Sequence, residues 1–342
     1  MRRWPFTEVV NPHLAVDRRG AQVAAGSAIA SNIPITWKQR LPLLNVKPRP
    51  REASKDTVVY IWGGLLSHGD FIVDLDNPWS LVGYNIRAMS FYRPLIRRFL
   101  LAGRCRGIHC MSEACRESLR LLFGKKVYVK AKVFYPCIPQ AVDSIPQLTH
   151  PEARFLFVAT QFEIKGGEAL VRAFASVYSQ YPRCRLDVIT HLPERFRPLI
   201  EACPGIKVHQ AQYTRAEIHD IFMRNADVLV LPTYVDSFGM VALEALSHGL
   251  ALIVTDVYAL EEMVQTGYNG ELLHPPLSIW DGYLPSRLYH DLRNAKQHIR
   301  ATDTREFEAR LAAAMKRLAI DPEWRLRARQ ASTRLMRERF GC

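Results

Sequence analysis

From Arg154 to Thr255 the sequence alternates short, almost continuously apolar runs with helical stretches, and this alternation restricts the fold more than any other feature. Arg154 to Ala159, Leu186 to Ile189, Lys207 to His209, Asp227 to Leu231 and Ala251 to Thr255 read as strands. Between them lie a helix with Leu170, Phe174 and Val177 on one face, a helix from Ala216 to Ala226, and one from Met240 to Ser247 ending at Gly249. Strands apolar on both faces need cover on both faces, which predicts a parallel sheet between helical layers. Ligands of such sheets bind beyond the carboxyl ends of the strands. The Lys165 and Asp236 loops are expected at those ends.

The first half is less regular. Thr57 to Trp62 reads as a strand running into the turn Gly63-Gly64, and Phe71-Ile72-Val73 as a second. Ser112 is an N-cap candidate for a helix through about Phe123. Val127 to Tyr135 is β-branched and aromatic, which predicts another strand ending at Pro136. Prolines 136, 139, 146 and 151 then mark a linker, placed at 141–151 between an N-terminal domain, 1–140, and a C-terminal domain, 152–342.

The chemistry concentrates in Thr233 to Glu244. There a strand closes at Pro232, a loop carries Asp236-Ser237-Phe238-Gly239, and a helix begins near Gly239. A helix start offers unpaired N–H groups and a positive dipole end, a cradle for phosphate. Asp236 is placed ahead of that cradle, where a carboxylate accepts hydrogen bonds from sugar hydroxyls. Glu244 lies inside the apolar run Met240 to Leu246, and a ribose diol would supply the donors that a buried carboxylate needs. Each acid alone also reads as an ordinary helix residue; the joint pattern is the specific signal.

That segment resembles the acid-x7-acid motif of retaining glycosyltransferases of family 4, which have the GT-B fold: α/β, with two Rossmann-like domains facing a cleft. Other segments resemble the family in order: Ile108-His109-Cys110-Met111-Ser112-Glu113-Ala114, Val133-Phe134-Tyr135-Pro136-Cys137-Ile138, Phe157-Val158-Ala159 with Lys165-Gly166-Gly167, Asn225-Ala226-Asp227-Val228, and Thr255-Asp256-Val257 with Glu261-Glu262-Met263-Val264. The resemblance implies transfer of a sugar from a nucleotide-diphosphate donor to an acceptor hydroxyl, with retention by front-face attack. Asp236 then corresponds to the sugar-contacting acid, Glu244 to the ribose-binding acid and Lys165 to the diphosphate cation. Ser237, Phe238, Gly239 and Met240 belong to the donor-binding turn. Electrostatic stabilisation of the departing diphosphate by a lysine and a helix terminus requires no metal or other cofactor.

The chain departs from the family in four places. Asp236 stands where glutamate is usual, and Thr160 stands in the donor site where an arginine usually precedes the lysine. A glycine-rich loop after the first strand is not evident, Arg19-Gly20-Ala21 being a poor candidate. The family's closing helix, which packs back on the N-terminal domain, is expected to be missing or rebuilt after Glu338-Arg339-Phe340. On the acceptor side, Asp74-Leu75-Asp76 follows a strand directed at the cleft. Asp76 is the catalytic candidate there, with Asp74 and His68 as further acceptor-side candidates, although the same residues also make an ordinary turn.

Charge adds a partner. The chain carries a net +13, and residues 1–150, with 22 Lys/Arg and 10 Asp/Glu, hold +12 of it. Residues 87–132 contain twelve basic residues against Glu113 and Glu117, interleaved with Phe91, Tyr92, Leu95, Ile96, Phe99 and Leu100. That composition suits an anionic membrane surface or a basic-faced core helix. Nucleic acid is not expected, since no recognised motif accompanies the charge. The seven scattered cysteines form no Cys-x-x-Cys pair and read as reduced structural thiols. No apolar run is long enough to span a bilayer, and Met1-Arg2-Arg3-Trp4-Pro5 lacks a secretory apolar region. The expected place is the cytoplasm, peripherally on the inner face of a membrane bearing a glycan or lipid-linked acceptor. The competing reading is a catalytically silent, nucleotide-binding or scaffolding relative.

Overall fold

The computed structural model describes residues 43–145 apart from 52 and 54–56, residues 151–286 and residues 292–341. The Arg19-Gly20 segment, the middle of the expected linker and Cys342 lie outside the described residues.

The first half begins with β1 (Val46–Lys47), β2 (Val59–Trp62), β3 (Leu65–Leu66), β4 (Phe71–Leu75), β5 (Cys105–Cys110) and β6 (Ala131–Val133). Strands β2, β4, β5 and β6 form a parallel sheet in the order β2-β4-β5-β6, while β1 pairs with β3. The helix Ile86–Leu101 and the helix Glu113–Phe123 cover it. Ser112 caps the second of these, its Oγ accepting from Cys115 N at 3.0 Å.

The strand expected from Val127 to Tyr135 is corrected. Lys125–Lys130 is a short helix, and only Ala131–Val133 pairs with β5. Gly124, at φ +84°, ends the preceding helix and reverses the chain. Val127 is then buried while Lys125, Lys126 and Val129 face outward. One apolar residue per turn suits a helix better than an edge strand, whatever the β-branched propensity.

The second half contains β7 (Arg154–Gln161), β8 (Arg185–His191), β9 (Ile206–Gln210), β10 (Val228–Leu231), β11 (Ala251–Thr255) and β12 (Gly270–Leu273), followed by the hairpin β13 (Trp280–Asp281) and β14 (Leu284–Pro285). The six long strands are parallel in the order β12-β11-β10-β7-β8-β9. The chain runs outward from β7 to β9, returns, and runs the other way from β10 to β12. The crevice at this reversal lies between the carboxyl ends of β7 and β10. Leu170, Phe174 and Val177, on the helix Gly167–Gln180, are buried against the sheet as their spacing predicts. The helices Arg305–Ile320 and Pro322–Leu335 follow it.

Each half has its own apolar core, and Trp280 packs against both. Its ring stacks on Tyr258, centroids 4.2 Å apart, and meets Trp79 edge-on at 5.8 Å. Beside it, the buried Glu262 accepts from Glu113 N at 3.1 Å and Ala114 N at 3.0 Å, so a carboxylate of one half caps a helix of the other. Tyr135 donates to Glu262 at 2.6 Å, and Ser118 Oγ meets Tyr258 Oη at 2.7 Å. The π-helical continuation Met336–Phe340 of the helix Pro322–Leu335 reaches this seam, with Phe340 against Tyr135 at 4.7 Å and Arg339 donating to the Tyr135 hydroxyl at 3.0 Å. A helix after Asp321 therefore does reach the first half.

Five cysteines (105, 110, 115, 184 and 203) are buried free thiols. Cys137 is disulfide-bonded, which corrects the expectation that all are reduced.

Glu262→Ala leaves two helix N–H groups and the Tyr135 hydroxyl without their acceptor, at a cost of about 1–3 kcal/mol. We expect a lower guanidinium midpoint, and a double variant with Tyr135→Phe that loses less than the sum of the two single changes.

Candidate donor and acceptor site

Two loops meet at the crevice, and glycine makes their meeting possible. Gly166, at φ +76°, follows Lys165 on the loop after β7, and a Cβ there would come within 2.0 Å of Pro232 O. Tyr234 N donates to Ile164 O at 3.0 Å, tying the loop after β10 to the loop after β7. Thr255 Oγ1, on β11, fixes Thr233 O from the other side at 2.6 Å.

This packing brings Lys165 to Asp236. Lys165 Nζ lies 2.7 Å from Asp236 Oδ2 and donates to Val235 O at 2.7 Å. The other carboxylate oxygen, Asp236 Oδ1, accepts from Ser237 N at 2.9 Å, Phe238 N at 3.3 Å and Gly239 N at 2.9 Å. Asp236 therefore organises the start of the helix Met240–Ser247 and holds the lysine in one geometry. The N–H groups expected to face a ligand are turned to its own carboxylate. Phe238 is buried in the core, Met240 is half-buried, and Gly239 adopts φ +82° where a Cβ would strike Leu260. Thr160 lies at the carboxyl end of β7, five residues before Lys165.

Glu244, one helical turn in from Met240, is held by Arg215 Nη2 at 2.7 Å, with His219 Nε2 at 3.6 Å. Arg215 was not singled out from the sequence. The signal was present: Thr214 and Glu217 form a reciprocal capping box, which places Arg215 at the first position of a helix. Thr190 Oγ1 and His191 Nε2, at the carboxyl end of β8, are buried without a hydrogen-bond partner in the protein. Buried polar atoms at strand ends of this kind are satisfied by water or by a polar ligand.

The first half contributes Asp76. It is buried just past β4 and accepts from Asn77 Nδ2 at 2.9 Å and Tyr84 Oη at 3.1 Å. The Ser237 side chain hydrogen-bonds it from across the seam. Burial pushes its carboxyl up from 3.8 to about 6, although these hydrogen bonds pull the other way. The space between the halves is a cavity of about 230 Å³, walled by Asn77, Trp79, Tyr84 and Ile86 on one side and by Lys165, Asp236, Ser237 and Trp280 on the other.

Two acceptor-side candidates fall elsewhere. Asp74 is fully buried within β4, where Tyr60 Oη donates to it at 2.5 Å, so it is a sheet residue. His68 is exposed beside Ser67, ahead of the amino end of β4 and near Asp70, which pairs with Arg106 at the start of β5. It lies at the sheet edge opposite Asp76, because the chain must return to that edge before a parallel strand can begin.

Residues 143–280 match the family model described as glycosyl transferases group 1. A D-inositol 3-phosphate glycosyltransferase of Paenarthrobacter aurescens is 28% identical over 193 residues, 54% of this chain and 45% of its own length. Another of that name, from an Arthrobacter species, is 33% identical over 138 residues, 37% of this chain and 32% of its own. The chain thus matches less than half the length of these curated relatives. Among solved structures, Anabaena HepE in complex with UDP and glucose superposes with a TM-score of 0.56 at 12% identity, over 82% of this chain and 74% of that one. Sucrose-phosphate synthase from Thermosynechococcus elongatus gives 0.56 at 15% identity, over 82% and 69%. These likenesses show the fold, which is GT-B.

The titration of Asp76 has a definite sign. Its folded pKa lies above its unfolded value, so the stabilisation belongs to the protonated form and is lost as pH rises through about 6. Asp76→Asn, which keeps the neutral shape, should therefore gain stability over the parent by up to about 3 kcal/mol between roughly pH 4 and pH 7. Denaturant midpoints across that range measure it, and a constant difference refutes the raised pKa.

Proposed function

We propose that this chain is a retaining glycosyltransferase of family 4, moving a sugar from a nucleotide-diphosphate donor to an acceptor hydroxyl. The carrying observation is the convergence of Lys165, Asp236 and Ser237, all from the second half, on a cavity walled from the first half by Asn77 and Tyr84, which both hydrogen-bond Asp76. In this reading the diphosphate lies against Lys165 and the helix terminus, which stabilise its charge as the glycosidic bond breaks. That stabilisation needs no metal. Asp236 orients the sugar through the free lone pairs of Oδ2, and Glu244 accepts from the ribose diol once Arg215 gives way. Thr190 and His191 lie on the strand-end side where the nucleoside would rest. Asp76 orients the acceptor hydroxyl, and retention follows from attack on the face that the diphosphate leaves, with a phosphate oxygen taking the proton.

The acceptor in this proposal is a cell-envelope glycan or a lipid-linked glycan, used at the cytoplasmic face of the membrane. A second reading has a specific observation in its favour. Thr160 replaces a cation of the donor site, and Lys165 is already neutralised by Asp236, which suits a nucleotide-binding relative without turnover.

The test is calorimetric titration with UDP, GDP and ADP, UDP first because the HepE complex contains it. Lys165→Ala should weaken nucleoside diphosphate binding by about 1.5–3 kcal/mol, the worth of a charge-assisted contact. Glu244→Gln should weaken it with little change in melting temperature. Unaltered affinity in both variants would end the donor-site assignment. Donor turnover that persists in excess chelator, with the product in the donor's anomeric configuration, separates the enzyme from its silent relative.

A further inference from the structure

The helix Ile86–Leu101 starts at the cavity, since Ile86 lines it, and runs away across the outer surface of the first half. At about 100° per residue, Arg87, Phe91, Pro94, Leu95 and Arg98 fall within one arc of roughly 100°. All five are exposed, Phe91 by 77% and Leu95 by 42%. The buried residues Ala88, Met89, Ile96 and Leu100 occupy the opposite side, so this helix is anchored by one face and shows an aromatic ridge on the other.

Adjoining elements extend the same chemistry. The turn Lys125–Lys130 packs alongside, Lys130 Nζ donating to Leu100 O at 2.7 Å, and it presents Lys125, Lys126 and the 67%-exposed Val129. Arg97 Nε donates to Phe123 O at 3.0 Å, closing the seam between the helices. Within 87–132 the two acids are already engaged, Glu113 with Arg116 and Glu117 with Arg120. A bare phenylalanine costs free energy in water unless something apolar receives it. Arg87 and Arg98 on the same face, with Lys125 and Lys126 beyond the end of the helix, have no carboxylate partner among the described residues, and together they select a receiver that is apolar within and anionic at its surface.

We propose that this face docks on an anionic phospholipid bilayer, with Phe91 and Leu95 entering the headgroup boundary and the flanking arginines and lysines on lipid phosphates. The inference rests on the glycosyltransferase reading for its consequence: the acceptor is a membrane lipid or a lipid-carried glycan. From Ile86 to Phe91 the helix advances only about 7.5 Å. The cleft therefore opens beside the bilayer, and a hydroxyl carried by a lipid enters past Tyr84 without leaving the surface.

The experiment is sedimentation of the full chain with vesicles of equimolar phosphatidylglycerol and phosphatidylcholine, against vesicles of phosphatidylcholine alone. Binding is expected to the anionic vesicles only and to decline with salt, as phosphate contacts do. Arg87→Gln with Arg98→Gln should weaken it roughly 30-fold at low salt, at about a kilocalorie per mole for each lost charge. Phe91→Ser should weaken the binding that survives at high salt, which a purely electrostatic contact would not show. Phe91→Trp provides a second readout, a blue shift in emission on adding anionic vesicles. Equal binding to neutral and anionic vesicles overturns the proposal. So does a Phe91→Trp signal that answers instead to an oligonucleotide or to self-association. UDP titrations of the same variants keep the two readings apart: intact nucleotide binding with no vesicle binding removes the membrane and spares the donor site.

Discussion

The arrangement of the two halves depends on where one carboxylate is placed. Glu262 belongs to the second half, yet two of its hydrogen-bond donors are the first N–H groups of a helix in the first half, and a third is the Tyr135 hydroxyl. A helix start presents donors that the helix itself never satisfies, and a buried start without an acceptor is unfavourable. The cap therefore fixes distance and direction between the halves in a way that apolar contact does not. Trp280 supplies the non-directional part, packing on both cores, and the helical end Met336–Phe340 closes the seam. The width of the cavity between Asn77 and Asp236 follows from these contacts.

Within the crevice the governing constraint is again a carboxylate with several claims on it. Asp236 takes three backbone N–H groups on one oxygen and Lys165 on the other. Each charge of this pair thus has its partner at hydrogen-bond distance. A similar pairing holds Glu244 against Arg215. Any group that engages Lys165 has to compete with a lysine–aspartate pair that is mostly out of water.

The helix that bears Phe91 begins at Ile86, a cavity-lining residue, so the basic, aromatic face starts within two helical turns of the cleft. Charge asymmetry between the halves thus has a spatial meaning. The nearly neutral half carries Lys165, Asp236 and Glu244, and the strongly positive half carries the exposed face of the helix Ile86–Leu101 beside the cavity.

Sequence alone determined the second half well. Strands such as Val228–Leu231 and Ala251–Thr255 are apolar on both faces, and only a covered parallel sheet buries them, so the strands and the loops at their ends were legible, while their order in the sheet came from the tertiary structure. The Ser112 cap and the buried stripe of Leu170, Phe174 and Val177 were legible for the same reason: each is a local pattern with one structural solution. The helix at Lys125–Lys130 was not, since its β-branched residues favour a strand and only the burial of Val127 against a distant core decides the matter. Nor was the difference between Asp74 and Asp76, two residues apart and alike in chemistry. One ends inside the sheet beneath Tyr60, the other at a seam where Ser237 of the second half reaches it. Local pattern fixes most of the elements, Lys125–Lys130 apart, because backbone hydrogen bonding and burial act over a few residues. Which side chains share a site depends on contacts between segments some 150 residues apart, such as Glu262 and Ala114, and only the tertiary structure brings these together.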